Sequence, residues 1–98
     1  MRKKRIGKQH TVQQRIVQDV NIGRNLRRLR LREDLTQDQV EGKLQLMGLP
    51  VSREIYAQIE TGRHHIRITV LMGLKMIFHT TYEEMLETEE TTAFFREL

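Results

Sequence analysis

Apolar residues recur along this chain at helical intervals, and nowhere do they alternate with polar ones for long enough to suggest a strand. Ile22, Leu26 and Leu29 make an i, i+4, i+7 stripe, with Arg24, Arg27, Arg28 and Arg32 on the other faces. This pattern predicts an amphipathic helix over about residues 20–33. The segment Leu35-Thr36-Gln37-Asp38-Gln39-Val40 is the clearest local signal. Thr36 as N-cap with Gln39 three residues on is a capping box, and Leu35 and Val40 are placed to close a hydrophobic staple. Asp38 falls in the first turn, where the helix dipole favours an anion. A second helix is therefore expected from Gln37 through Val40 and Leu44 to about Leu46, ended by Gly48 and Pro50. Ser52 can cap a third helix, about residues 53–61, with Val51 and Tyr56 as a second staple, Ile55 and Ile59 facing inward and Thr61-Gly62 as a glycine stop. Val70, Leu71, Leu74, Ile77 and Phe78 form the widest apolar stripe, a fourth helix. Thr81-Tyr82-Glu83-Glu84 repeats the capping-box pattern and opens a short fifth one carrying Met85 and Leu86. Ahead of these, Val12, Ile16 and Val20 at intervals of four allow a short leading helix. The fold class expected is all-α.

Composition narrows the class. A chain of 98 residues, 38% hydrophobic and 31% charged, fits one soluble globular domain rather than a membrane or disordered protein. A core of this size is small, and dimerisation would enlarge it. With no cysteine there is no disulfide framework, thiolate metal site or cysteine nucleophile, which is compatible with a reducing cytoplasm. Met1 to Arg5 is basic, but no apolar region follows, so no secretory signal is predicted. The apolar run at residues 70–78 is interrupted by Lys75 and is far shorter than the ~20 residues a membrane span needs. A cytoplasmic location is expected.

Charge adds more. Residues 1–32 hold eleven Lys or Arg against Asp19 alone, a net +10, whereas residues 33–98 carry a net −6. A basic end attracts phosphate backbones through counterion release. A solubilising tail is the plainer reading of such a run. An anionic membrane surface is a poorer match, because the arm has no apolar face to insert. The chain thus divides into a basic N-terminal arm (residues 1–19), a helical unit (20–87) and an acidic C-terminal tail (88–98).

Two short helices joined by a tight connection are in themselves only an αα-hairpin. The residue order says more. Ile22-Gly23-Arg24-Asn25-Leu26-Arg27-Arg28-Leu29-Arg30, then Leu35-Thr36-Gln37-Asp38-Gln39-Val40, then Ser52-Arg53-Glu54-Ile55-Tyr56-Ala57-Gln58-Ile59-Glu60-Thr61-Gly62-Arg63, and finally Thr80-Thr81-Tyr82-Glu83-Glu84-Met85-Leu86 follow one another in the chain. In this order they resemble the phage repressor/Cro-like (XRE-type) helix-turn-helix family, over about residues 22–86. The resemblance implies a five-helix repressor-like bundle in which residues 20–87 bind DNA and the third helix enters the major groove. Two departures stand out. Glu41, next to Gly42, occupies a place where the family usually has alanine, and the turn through Leu46-Met47-Gly48-Leu49-Pro50 is about five residues longer than in the shortest members. Lys75 also replaces a small residue. A lone charge at a packed site is costly, so Glu41 and Lys75 are expected to approach each other or to reach solvent together.

Roles follow for individual residues. The starts of the second and third helices carry free N–H groups and positive dipole ends that suit phosphates, Gln37 and Ser52 standing at those places. Gln37 is expected on the DNA backbone. Arg53, Glu54 and Gln58 occupy the outward positions to which the resemblance assigns base contacts. Arginine matches the paired acceptors of guanine, glutamine the acceptor–donor pair of adenine, and glutamate the amino group of cytosine. Each could equally be a solvated surface residue, and Glu54 could act by repelling phosphate or by favouring the helix dipole. Arg63, His65 and Arg67, with His64 between them, can line the backbone beyond the third helix. Arg30 and Glu60 are implied to form a structural ion pair fixing that helix, against the alternative of two unrelated exposed charges.

Other chemistry finds little footing. His10, His64, His65 and His79 lack ligand spacing, so no metal site is expected. No nucleophile elbow, phosphate-cradling loop or dinucleotide fingerprint is present, and Glu83-Glu84 open a helix with no apolar pocket to raise a pKa. Neither a cofactor nor an enzymatic activity is expected. Residues 83–98 hold six Glu and one Arg around Ala93-Phe94-Phe95, which reads as a packed-back helix, a dimer contact or a partner-binding motif. Three functions compete: a sequence-specific transcriptional regulator acting as a homodimer through Tyr82, Met85, Phe94 and Phe95; an antitoxin-like or bridging module whose acidic tail holds a protein partner; and an RNA-binding protein. Five aromatic residues with no stacking cluster weigh against single-stranded RNA.

Overall fold

The computed structural model describes residues 17–97. Most of the basic arm, and Val12 and Ile16 of the leading helix, lie outside them; residues 17–22 are not helical. The described residues hold six helices and no strand: α1 (Gly23–Arg32), α2 (Gln37–Leu46), α3 (Arg53–Glu60), α4 (Ile68–Ile77), α5 (Tyr82–Leu86) and α6 (Glu89–Arg96). One more helix forms than the five expected, because Thr88 and Thr91 cap α6 reciprocally.

The caps are set by neighbouring residues. Thr36 Oγ1 accepts the Gln39 N–H at 3.1 Å, and Gln39 Oε1 accepts the Thr36 N–H at 2.8 Å, so the capping box of α2 is complete. Ser52 Oγ caps α3 through the Ile55 N–H at 3.1 Å. At α5 only half of the expected box forms. Thr81 Oγ1 accepts the Glu84 N–H, but the Glu84 carboxylate takes the Thr80 hydroxyl at 2.6 Å and lies 3.3 Å from Arg32. The first four helices end alike. Leu35, Leu49, Arg63 and Thr80 each donate the N–H to the carbonyl five residues back (Arg30, Leu44, Gln58 and Lys75). Between lie Asp34, Gly48, Gly62 and His79, all at positive φ, the signature of the Schellman ending.

The core is one cluster that gathers the stripes: Ile22 just ahead of the first helix with Leu26 and Leu29 in it, Val40 and Leu44, Tyr56 and Ile59, Val70, Leu71, Leu74, Ile77 and Phe78, and Met85. α3 packs on α1 and α2, α4 on α2, and α5 on α1. The long turn between α2 and α3 is anchored by Leu49 and Val51, both half-buried against this core. Asn25, buried in α1, donates through Nδ2 to the carbonyls of Met85 and Glu87, which ties down the end of α5. Glu41 and Lys75 do not pair. Lys75 Nζ stands over the Tyr82 ring at 5.2 Å, and Glu41 accepts from Gln45 within its own helix at 3.5 Å. Each is half-buried, so the cationic end finds an aromatic face and the anionic end an amide.

Met85 is wholly buried in this core, so it cannot line an interface between copies as expected. Tyr82, Phe94 and Phe95 are exposed, and α6 buries none of its residues, which excludes the packed-back arrangement.

Candidate nucleic-acid interface

α2 and α3 form the helix-turn-helix, and the first turn of α2 holds both ends of α3. Gln37 reaches the last residue of α3: its Nε2 donates to Glu60 Oε1 at 3.1 Å. Asp38, its neighbour, reaches the first: its Oδ1 lies 3.1 Å from Arg53 Nε. Adjacent residues on α2 thereby span the eight residues of α3.

The Glu60 end is buried. Arg30 Nε and Nη2 donate to the two Glu60 carboxylate oxygens at 2.7 and 3.0 Å, and Nη1 donates to the Leu35 carbonyl at 2.8 Å. The guanidinium therefore links α1, the α1–α2 turn and α3 in one fork. Burial, the largest single influence, would raise the Glu60 pKa, but the surrounding donors, Arg30 foremost, and the Arg30 charge together outweigh it and hold the carboxyl below its usual range. Tyr56 is fully buried beside the pair, and its hydroxyl makes no hydrogen bond of normal geometry. Burial, reinforced by the Glu60 charge, pushes its phenol far above the ordinary tyrosine range. Gly23 completes this end: its backbone lies flush against the carbonyls of Ile59 and Glu60.

The Arg53 end is open. Ser52, Arg53, Glu54 and Gln58 are exposed, as are Arg63, His64, His65 and Arg67 in the loop beyond. In that loop His64 Nδ1 donates to the His65 carbonyl at 2.8 Å, and the Ile66 N–H is held by Gln18 Oε1 at 2.7 Å. The α1 arginines divide. Arg28 is tied to Asn25 and Arg32 to Glu84, while Arg24 and Arg27 are exposed with no ion pair among the described residues.

Of the positions expected on DNA, the structure thus groups Ser52, Arg53, Glu54 and Gln58 on one exposed helix and its cap, with Arg63, His65 and Arg67 next to it in the chain. Gln37 differs: it is half-buried, and one of its amide hydrogens is committed to Glu60. Sequence reasoning passed over Asp38 as a partner of Arg53. Opposite charges at the starts of consecutive helices were the available signal, but only the crossing of α2 over α3 brings them together.

The chain belongs to the helix-turn-helix domain family, whose pattern matches residues 21–84. No curated protein and no solved structure matches it. A helix-turn-helix domain points to DNA binding of a regulatory kind. No helix among the described residues is long and apolar enough to cross a membrane.

Proposed function

We propose that the protein is a cytoplasmic, sequence-specific transcriptional regulator of the phage repressor/Cro-like (XRE) kind, without enzymatic activity, that inserts α3 into the major groove of double-stranded DNA. The observation that carries this reading is the exposed outer face of α3, presented by a helix that buried side chains hold rigidly at its other end. Preorganised readers lose little entropy on binding. Arg53 and Gln58 then read bases, Glu54 tests the neighbouring position, and Ser52, Arg63, His65 and Arg67 follow the phosphates. Gln37 keeps one amide hydrogen and its oxygen for the backbone while Glu60 fixes its orientation. In vitro selection from a randomised duplex library tests this directly. A defined motif should emerge, its affinity should fall steeply with salt, and Arg53→Ala and Gln58→Ala should each relax one base position at a cost of ~1–3 kcal/mol. Selection that yields no motif, or an unchanged motif in both variants, refutes the assignment.

One helix-turn-helix makes few base contacts, so the active species in this reading is a homodimer spanning half-sites ~34 Å apart. Phe94 and Phe95 favour a contact between chains. They sit edge to face at 5.1 Å and remain 64% and 61% exposed. The same pair on an acidic helix supports the second reading, an antitoxin-like or bridging module that holds a protein partner. Sedimentation at micromolar concentration should give a dimer that Phe94→Ala/Phe95→Ala dissociates; a wild-type monomer ends the dimer proposal.

A further inference from the structure

We infer that Asp38 is a positioning residue that sets base discrimination by aiming Arg53, an inference that rests on α3 being the reading helix. Asp38 is the second residue of α2 and Arg53 the first of α3, so two separate elements supply the pair. The carboxylate approaches Nε, the inner nitrogen of the guanidinium, at 3.1 Å. The contact is an ion pair and not a hydrogen bond, the outer nitrogens Nη1 and Nη2 donate to no described residue, and both side chains are largely in solvent, 52% exposed for Arg53 and 74% for Asp38. Such a pair contributes little to folding. Its effect falls on the arginine itself. A free arginine samples many rotamers, and binding must select one of them. Here the carboxylate from α2 sits beside the inner nitrogen as a counter-charge, which restricts where the guanidinium can lie and leaves its outer nitrogens without a partner among the described residues. Their edge carries two donors, the complement of guanine O6 and N7, and it clashes with the amino group that adenine offers in the same place.

The charge of Asp38 gives the proposal a signature that a mere helix-stabilising role lacks. A carboxylate close to the groove repels phosphate, so it lowers affinity for every duplex alike. Asp38 therefore sacrifices general affinity for selectivity, and removing it should move the two quantities in opposite directions. Loss of a first-turn acid would weaken α2 slightly and depress binding to all sequences together.

The experiment is selection from a randomised duplex library, followed by binding to the selected duplex, to its single-base variants and to an unrelated duplex. Wild type should select one guanine that Arg53→Ala no longer requires. In Asp38→Asn, discrimination for that guanine should fall about tenfold, the scale of one rotamer-rich side chain that must now be ordered on binding. Preference at the other positions should stay intact, and affinity for the unrelated duplex should rise. Asp38→Glu should restore part of the discrimination, and Asp38→Asn added to Arg53→Ala should change nothing further at that base. An Asp38→Asn variant with wild-type discrimination, or one that weakens equally on every duplex, overturns the inference while leaving the function intact. A wild-type protein that selects no motif, or an Arg53→Ala variant that still requires the guanine, removes the reading beneath it.

Discussion

Replacing Glu60 by alanine is expected to destabilise the fold by about 3–5 kcal/mol, because it leaves the Arg30 guanidinium buried without its counter-charge. The pair lies inside the protein, with only 9% of the Arg30 side chain and 2% of the Glu60 side chain exposed. Its geometry is bidentate, and the same carboxylate also receives Gln37. Removing it strands three donors at the junction of α1, α2 and α3. For a domain of this length such a loss lowers the melting temperature by on the order of 15–30 °C, which circular dichroism would register. Arg30→Met/Glu60→Leu together should cost clearly less than Glu60→Ala alone, since no charge is left unpaired. A Glu60→Ala loss below ~1 kcal/mol would place the pair with ordinary surface contacts.

The same site sets the response to pH. The Glu60 pKa is lower in the folded protein than in the unfolded chain, where it lies near ~4.3. Its contribution is therefore fully present above about pH 4.3 and is lost as pH falls through the lower, folded value. Tyr56 acts at the other end. Its folded pKa is raised, so stability is complete below the unfolded value of about 10 and declines above it. In Glu60→Gln the acid limb should flatten, since the titrating group is gone; a limb as steep as in wild type would assign acid sensitivity to other carboxylates.

What was legible in the chain divides by range. The capping box and Gly48 stop of α2, and the Ser52 cap and Gly62 stop of α3, act between residues three to five apart, so local sequence decides them. The Arg30–Glu60 pairing came from family resemblance, since no spacing rule connects residues thirty apart. Tertiary competition decided the rest. Glu84 has the right distance from Thr81 for a reciprocal cap, but Thr80 offers a hydroxyl at 2.6 Å and takes it. Gln37 was read as a free phosphate ligand because nothing local reveals that Glu60 lies within its reach. Glu41 and Lys75 are individually odd for the family, yet each finds its own partner, and shared oddity did not imply contact. At α6 a helix stood among the alternatives for the acidic segment, and the capping threonines Thr88 and Thr91 were the local signal for it that went unused.

Glycine provides the sharpest contrast between local and tertiary control, because the same substitution should have opposite signs at two sites. Gly42 lies in the middle of α2, exposed, and a Cβ built there meets nothing within 4 Å. Alanine at this position adds helix propensity and no contact, so Gly42→Ala should stabilise by ~0.5–1 kcal/mol. Gly23 opens α1, where alanine would also be the better helix former. Its Cβ, however, would fall 2.6 Å from the Glu60 carbonyl carbon and 2.7 Å from the Ile59 carbonyl oxygen. These are backbone atoms at the end of α3 that no rotamer change can move aside. Accommodating the methyl means separating α1 from α3, which loosens Ile22 and Ile59 in the core and pulls on the Arg30 fork. Overpacking of this kind costs about 3 kcal/mol, well beyond the propensity gained, and for a marginally stable domain that is a large share of the total. Because the clash lies at the C-terminal end of the proposed reading helix, Gly23→Ala should also weaken DNA binding beyond what unfolding explains. Urea titrations of the two variants decide the matter. Equal shifts, or a stabilised Gly23→Ala, would mean that α1 and α3 do not approach as closely as the backbone geometry requires.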